Sequence, residues 1–152
     1  MKANDVMSKD PSCCTPNDTV RDAAKLMVEH DCGCIPIVDD QSSKRVVGTI
    51  TDRDIACRCM AEGRTADTRI GDVMSPNPVC CRPEDDVNEI ERVMSERKVR
   101  RIPIVDNGGC CVGIVSQADL ARAKNRGVSD REVSQLVERV SEPTRGPRAE
   151  AR

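Results

Sequence analysis

Residues 5–20, DVMSKDPSCCTPNDTV, return at residues 72–87 as DVMSPNPVCCRPEDDV, so a chain of 152 residues spells one folding unit twice. The same shift of 67 lays CIPIVDD, residues 34–40, on RIPIVDN, residues 101–107. Seventeen of the thirty-seven positions from Ala3 to Asp39 match their shifted partners. After Asp106 the second copy is two residues shorter, the offset becomes 65, and GTITDRDI (48–55) falls on GIVSQADL (113–120). Units of roughly 60 residues are marginal alone, so each needs the other's surface to bury a sufficient core.

Each copy reads as strand, helix, strand, strand, helix, an α/β (α+β) pattern repeated. Asp18 or Thr19 can cap a helix carrying Val20, Ala23, Ala24 and Met27 at helical spacing, ending near Asp31-Cys32-Gly33. CIPIV and RVVGTI are short apolar strands joined by a polar connection, and the helix after them stops at Gly63. The second copy repeats this with Val87, Ile90, Val93 and Met94, strands at 102–105 and 111–115, and a stop at Gly127. Ser129 and Glu132 open one more helix with a stripe of Val133, Leu136, Val137 and Val140, and SEPTRGPRAEAR trails it. The division by repeats is therefore 1–66, 67–128, and a C-terminal helix with a flexible tail over 129–152.

Composition narrows the function. With 24 basic and 26 acidic side chains the net charge is −2, which provides no nucleic-acid footprint. No apolar run approaches a membrane span, and the opening residues MKANDVMSKD lack a signal-peptide core, which points to the cytoplasm. Phe, Tyr and Trp are all absent, so Val, Ile, Leu, Met, Ala and Cys must fill the core.

The duplicated corner has chemistry of its own. A hydroxyl residue opening a helix sits among unpaired backbone N–H groups at the positive end of the macrodipole, a natural place for a phosphate. An aspartate one turn later can accept both hydrogen bonds of a ribose diol. Thr51 with Asp54, and Ser116 with Asp119, carry that pattern. The same spacing is also a capping motif, in which the pair satisfies only its own helix.

A duplicated unit that begins DVMS, continues through IPIVD and ends in glycine, two apolar residues, a hydroxyl residue and an aspartate three places on resembles the cystathionine-β-synthase (CBS) domain. Two in tandem resemble the pair called a Bateman module, over about residues 3–128. The resemblance implies that the hydroxyl and the aspartate contact phosphate and ribose, with adenine in the cleft between the copies. It also implies an arginine reaching the phosphate from just before the central strand, where the second copy has Arg100 and Arg101 and the first has Gly33 and Cys34. Unequal sites are expected. Without aromatic residues the base must lie against aliphatic walls, for which Ile35, Pro36, Ile102 and Pro103 are the candidates.

The implied function is a stand-alone regulatory module, a homodimer, that binds AMP, ADP, ATP or S-adenosylmethionine and acts on a protein partner in trans. It requires no cofactor, metal, nucleic acid or membrane. His30, the single histidine, has Arg97 as its repeat equivalent and no nucleophile arranged beside it, so no enzyme is read here. Two alternatives stand beside this reading: a redox or metal sensor using the ten cysteines, and an interaction protein that keeps the fold without the ligand. None of the cysteine pairs has the spacing of a zinc knuckle. Cys13-Cys14 and Cys80-Cys81 are expected on strands, packing on two faces as small hydrophobes.

Overall fold

The computed structural model describes residues 1–123 and 138–140. Helix α1 (Ala3–Val6) and strand β1 (Ser8–Lys9) lead the first copy, followed by helix α2 (Val20–His30), strands β2 (Cys34–Val38) and β3 (Val46–Thr51), and helix α3 (Asp52–Asp54). Helix α3 runs directly into a π-helical segment, Ile55–Met60. A 3-10 turn (Ile70–Asp72) and strand β4 (Ser75–Pro76) lead the second copy, before helix α4 (Val87–Arg97), strands β5 (Arg101–Val105) and β6 (Cys111–Ser116), and helix α5 (Gln117–Ala123). Helix and strand are mixed as the sequence predicts, in two three-stranded sheets ordered β2-β3-β4 and β1-β6-β5. The stop at Gly127, the cap at Ser129 and Glu132, the stripe of Val133, Leu136 and Val137, and the tail lie outside the described residues. Val140 is described and is buried with the core that holds Ala3 and Ile90.

The helices begin and end where their chemistry allows. Thr19 caps α2: its hydroxyl accepts from the Asp22 N–H at 3.2 Å, and the Asp22 carboxylate accepts from the Thr19 N–H at 3.0 Å. Asp86 caps α4 by accepting from the Asn88 N–H at 2.9 Å. Both helices close on a left-handed residue, Asp31 and Lys98, which are repeat equivalents with φ of 50° and 54°. Val20 and Ala23 face one core, and Val87, Ile90 and Met94 face the other.

The duplication departs from its linear reading in one respect: the copies trade their leading segments. One compact unit gathers Met1–Asp10, Val79–Asn107 and the described residues from Val112 on; the other gathers Pro11–Pro78 with Gly108–Cys111. Strand β4 therefore pairs with β3, with Gly48 opposite Pro76 and Thr49 opposite Ser75. Strand β1 pairs with β6, with Gly113 opposite Lys9 and Ile114 opposite Ser8. The backbone bonds that seat these segments repeat with the sequence. Val20 N–H donates to Thr68 O (2.9 Å) and Ile70 N–H to Asp18 O (2.8 Å), as Val87 N–H donates to Met1 O (3.0 Å) and Ala3 N–H to Asp85 O (2.8 Å).

The cysteine doublets were expected on regular strands; they form single bridges instead. Cys14 bridges Ile37 and Cys81 bridges Ile104, each in parallel sense. The prolines flanking the doublets explain this, because a proline has no N–H to extend a ladder.

The glycine that opens each corner motif makes the exchange possible. A Cβ on Gly48 would stand 2.8 Å from the Ser75 carbonyl oxygen and 2.9 Å from the Met74 sulfur. One on Gly113 would meet the Met7 sulfur and stand 3.0 Å from the Ser8 carbonyl oxygen. Gly48→Ala and Gly113→Ala are each expected to lose about 1–3 kcal/mol of stability through overpacking at the strand edge. Urea unfolding checks this, and an unchanged midpoint in both variants would overturn the account.

Candidate functional site

The corners form where β3 and β6 run into helices. Thr51, the last residue of β3, lies opposite Cys34, the first of β2, and the Asp52 N–H donates to the Gly33 carbonyl at 3.0 Å. In the other unit the Gln117 N–H donates in the same way to the Arg100 carbonyl at 2.9 Å. The main chain that carries Arg100 and Arg101 is thereby fixed beside Ser116.

Each corner closes a capping box. The Thr51 hydroxyl accepts from the Asp54 N–H and the Asp54 Oδ2 accepts from the Thr51 N–H, both at 3.0 Å. At the other corner the Ser116 hydroxyl accepts from the Asp119 N–H at 3.1 Å, and the Asp119 Oδ2 accepts from the Ser116 N–H at 2.7 Å and from its hydroxyl at 2.9 Å. The capping role is thus filled in full at both corners.

Burial separates these boxes from an ordinary cap. Asp22, the acid of the α2 box, stays in water, whereas Asp54 is 5% and Asp119 8% exposed. Among the described residues these two are the buried polar or charged side chains. Burying a carboxylate carries a desolvation cost that an exposed cap avoids, and it needs a charge partner. One arginine supplies it at each corner: Arg58 Nε stands 3.8 Å from Asp54 Oδ1, and Arg122 pairs with Asp119 Oδ1. Arg58 also donates to the Val73 and Met74 carbonyls, at 3.5 and 3.3 Å. The sequence reading missed both arginines. Their signal was present, an arginine one turn after each corner aspartate, four places on in one copy and three in the other.

The other expected residues divide by surroundings. Arg100 is exposed and Arg101 half-buried, and both share a unit with Ser116 and Asp119. Ile35, Pro36, Ile102 and Pro103 are all buried, and Ile35 and Ile102 belong to the hydrophobic cores. The Pro36 and Pro103 carbonyls accept from the Cys14 and Cys81 N–H groups, each at 3.1 Å. The corners also differ in charge. Where one unit has Arg100, Arg101 and Gln117, the other has Gly33, Cys34 and Asp52, and a Cβ on Gly33 would stand 2.9 Å from the Asp52 carboxylate. Arg53 is exposed, and its N–H donates to that carboxylate at 2.9 Å.

All ten cysteines are free thiols, and among the described residues no group of three or more His, Cys, Asp or Glu is placed to hold a metal ion. Burial, with the Asp18 charge nearby, pushes the Cys14 thiol up to about 12, and burial with Asp85 pushes Cys81 up to about 11. Burial raises Cys80 as well. His30 is exposed at the end of α2, with its Nε2 2.9 Å from the Ser12 hydroxyl. Among the described residues no helix is long and apolar enough to cross a membrane.

The family model of the CBS domain matches residues 3–59 and again 70–126. Hypoxic response protein 1 of Mycobacterium tuberculosis is 32% identical over 142 residues, 93% of this chain and 94% of the relative. A crystal structure of Hypoxic Response Protein I with two coordinated zinc ions covers 80% of this chain and 98% of its own, at 34% identity and a TM-score of 0.72. CBSX2 of Arabidopsis thaliana, solved in complex with AMP, is 28% identical over 82% of this chain and 96% of its own, with a TM-score of 0.72. The CBS domain pair of protein MJ0100, solved with 5′-methylthioadenosine and S-adenosyl-L-methionine, is 30% identical over 80% and 98%, with a TM-score of 0.73.

The thiols make a prediction with a definite sign. Unfolded, Cys14 and Cys81 ionise near their ordinary value of 9.0; folded, they stay neutral until about 12 and about 11. Their contribution to stability is whole below pH 9 and is lost as pH rises through 11 and 12. Denaturation midpoints taken under reducing conditions are expected to fall steadily above pH 9. A flat profile from pH 8 to 11 would show that the two thiols are not held neutral.

Proposed function

The chain belongs to the CBS-domain family, and on that premise we propose that it is a regulatory module that binds an adenosine-containing ligand (AMP, ADP, ATP or S-adenosylmethionine) at its corner motifs. It acts without catalysis, as a homodimer in the cytoplasm, on a protein partner in trans. The observation that carries the reading is the burial of Asp54 and Asp119. A helix cap requires no desolvated carboxylate, as the exposed Asp22 shows, so the corner geometry supports a second use for these groups.

Each aspartate commits Oδ2 to its cap and turns Oδ1 toward an arginine. A ribose hydroxyl donating to Oδ1 would complete a carboxylate already held in place, with little ordering left to pay for. The Thr51 hydroxyl, which accepts from the Asp54 N–H, can donate its own proton to a phosphate or a neutral 5′ substituent, and the Ser116 hydroxyl can do the same by turning from Asp119 Oδ2. Adenosine compounds bound to two neighbours at 28% and 30% identity support the ligand class. The ten free thiols fit a reducing compartment. Val28 and Met60, 83% and 63% exposed, are apolar surface that a dimer would cover. Regulation requires that the ligand prefer one arrangement of the module over another.

The zinc ions of Hypoxic Response Protein I keep the metal-sensor reading in view. The described residues favour it less, for want of a three-ligand cluster and because burial holds three of the thiols neutral.

Freshly purified protein is expected to show an absorbance band near 260 nm, conspicuous because the chain has no Trp or Tyr, and acid is expected to release an adenosine compound identifiable by mass. Asp54→Ala and Asp119→Ala should each weaken calorimetric binding about 10- to 100-fold, the worth of a hydrogen bond to a charged group. Unaltered affinity in both variants, with stability lowered only by a cap's roughly 1 kcal/mol, would leave the two aspartates purely structural.

A further inference from the structure

Asp10 and Asn77 occupy the same place in the two copies, both with φ of 50°, and a proline follows each. Left-handed backbone costs a residue with a Cβ, least for Asp and Asn, and a proline drives its predecessor toward extended backbone, so both positions carry strain. At Asp10 the chain also leaves one compact unit for the other, because Met1–Asp10 belongs with Val79–Asn107 while Pro11 begins the second unit.

The ten residues before that junction form an arm with a complete seat. Ala3 N–H donates to Asp85 O (2.8 Å), Asn4 N–H to Pro83 O (3.0 Å), Val87 N–H to Met1 O (3.0 Å) and Asp10 N–H to Val112 O (3.0 Å). Ser8 and Lys9 pair with Ile114 and Gly113, Ala3 is fully buried, and Met7 fills the notch that Gly113 leaves. The seat lies in one unit, and the arm's covalent continuation lies in the other.

Nothing in those bonds depends on which chain supplies the arm. We propose that two copies exchange residues 1–10, each unit seating its partner's arm, with Asp10 relaxing to extended backbone in the exchanged form. The occupant of the seat is then the same segment of a second copy. Every arm-to-seat bond is kept, and two strained hinges are relieved per dimer. Translational freedom is lost in exchange, so the fraction exchanged rises with protein concentration.

The test mixes full-length 15N-labelled and unlabelled protein in equal amounts at high concentration, equilibrates it below the melting temperature, and separates monomer from dimer by size. A zero-length carbodiimide then joins the Met1 α-amine to the Asp86 carboxylate, which stands 3.7 Å from it across the seat. In an exchanged dimer about half of these cross-links, the statistical share for a symmetric pair of arms, should unite a labelled peptide with an unlabelled one. Asp10→Gly, which takes the left-handed φ without strain, should lower the dimerisation constant about five-fold for each of the two hinges. A dimer whose arm cross-links are all of one isotope would be an ordinary surface association and would overturn the proposal. So would a chain that stays monomeric throughout, or a dimerisation constant that Asp10→Gly leaves unmoved.

Discussion

The fold depends on a missing side chain. At Gly48 and Gly113 the strand has no Cβ, and the backbone of Ser75 or Ser8 lies where one would have been. That notch lets a two-residue edge strand complete a three-stranded sheet, and the residues that supply the edge come from the DVMS segments that announce each repeat. The two most conspicuous motifs of the sequence, DVMS and the glycine-led corner, are therefore two sides of one contact. They meet across copies rather than within one, because β4 complements β3 and β1 complements β6.

An exchanged edge changes what marginal size means here. A unit of this length would have to bury its core alone; each unit instead borrows ten or so residues from the other copy's leader and covers its core with them, as Ala3 and Ile70 show at 0% exposure. The loan places the strain. The chain has to turn back at Asp10 and at Asn77, and it does so with the same left-handed φ before the same proline. Duplicated strain at duplicated positions marks it as a property of the architecture, since the residue that carries it differs, Asp10 in one copy and Asn77 in the other.

Much of this was legible beforehand, for reasons that can be stated. The helices over 20–30 and 87–97 follow from apolar spacing, with Asp18 or Thr19 as the cap of the first, and the strands at 34–38 and 102–105 from CIPIV and IPIV, while Asp86 as the second cap comes from the structure. The exchange was not legible, because a leader looks the same in sequence whichever body it joins; offset arithmetic fixes equivalence and says nothing of partnership. Adjacent small hydrophobes suit a pleat, so the Cys13-Cys14 and Cys80-Cys81 doublets read as strand in sequence, and their prolines limit them to isolated bridges. At the corners the capping pattern was open to two readings. Arg58 and Arg122, which make the buried carboxylates tolerable, were hidden by an uneven spacing, i+4 in one copy and i+3 in the other.

That uneven spacing belongs to a wider divergence of the corners. In one copy α3 gives way to π-helical turns over Ile55–Met60, which hold Arg58 where it reaches Asp54 and the Val73 and Met74 carbonyls of the borrowed segment together. In the other, α5 starts as regular α-helix, and Arg122 pairs with Asp119 from the next turn. The first corner adds Asp52 and has no arginine before its central strand; the second adds Arg100 and Arg101. A phosphate approaching the first corner meets the Asp52 carboxylate beside the Arg53 guanidinium, while the second corner offers two guanidinium groups with no further carboxylate, and their fork geometry suits phosphate oxygens. Duplicated corners have thus been given unequal local charge. Under the proposed reading, the part of an adenosine ligand they share, its ribose, is what the duplicated aspartates preserve, and the part that differs among such ligands, the 5′ substituent, is where the two corners have diverged.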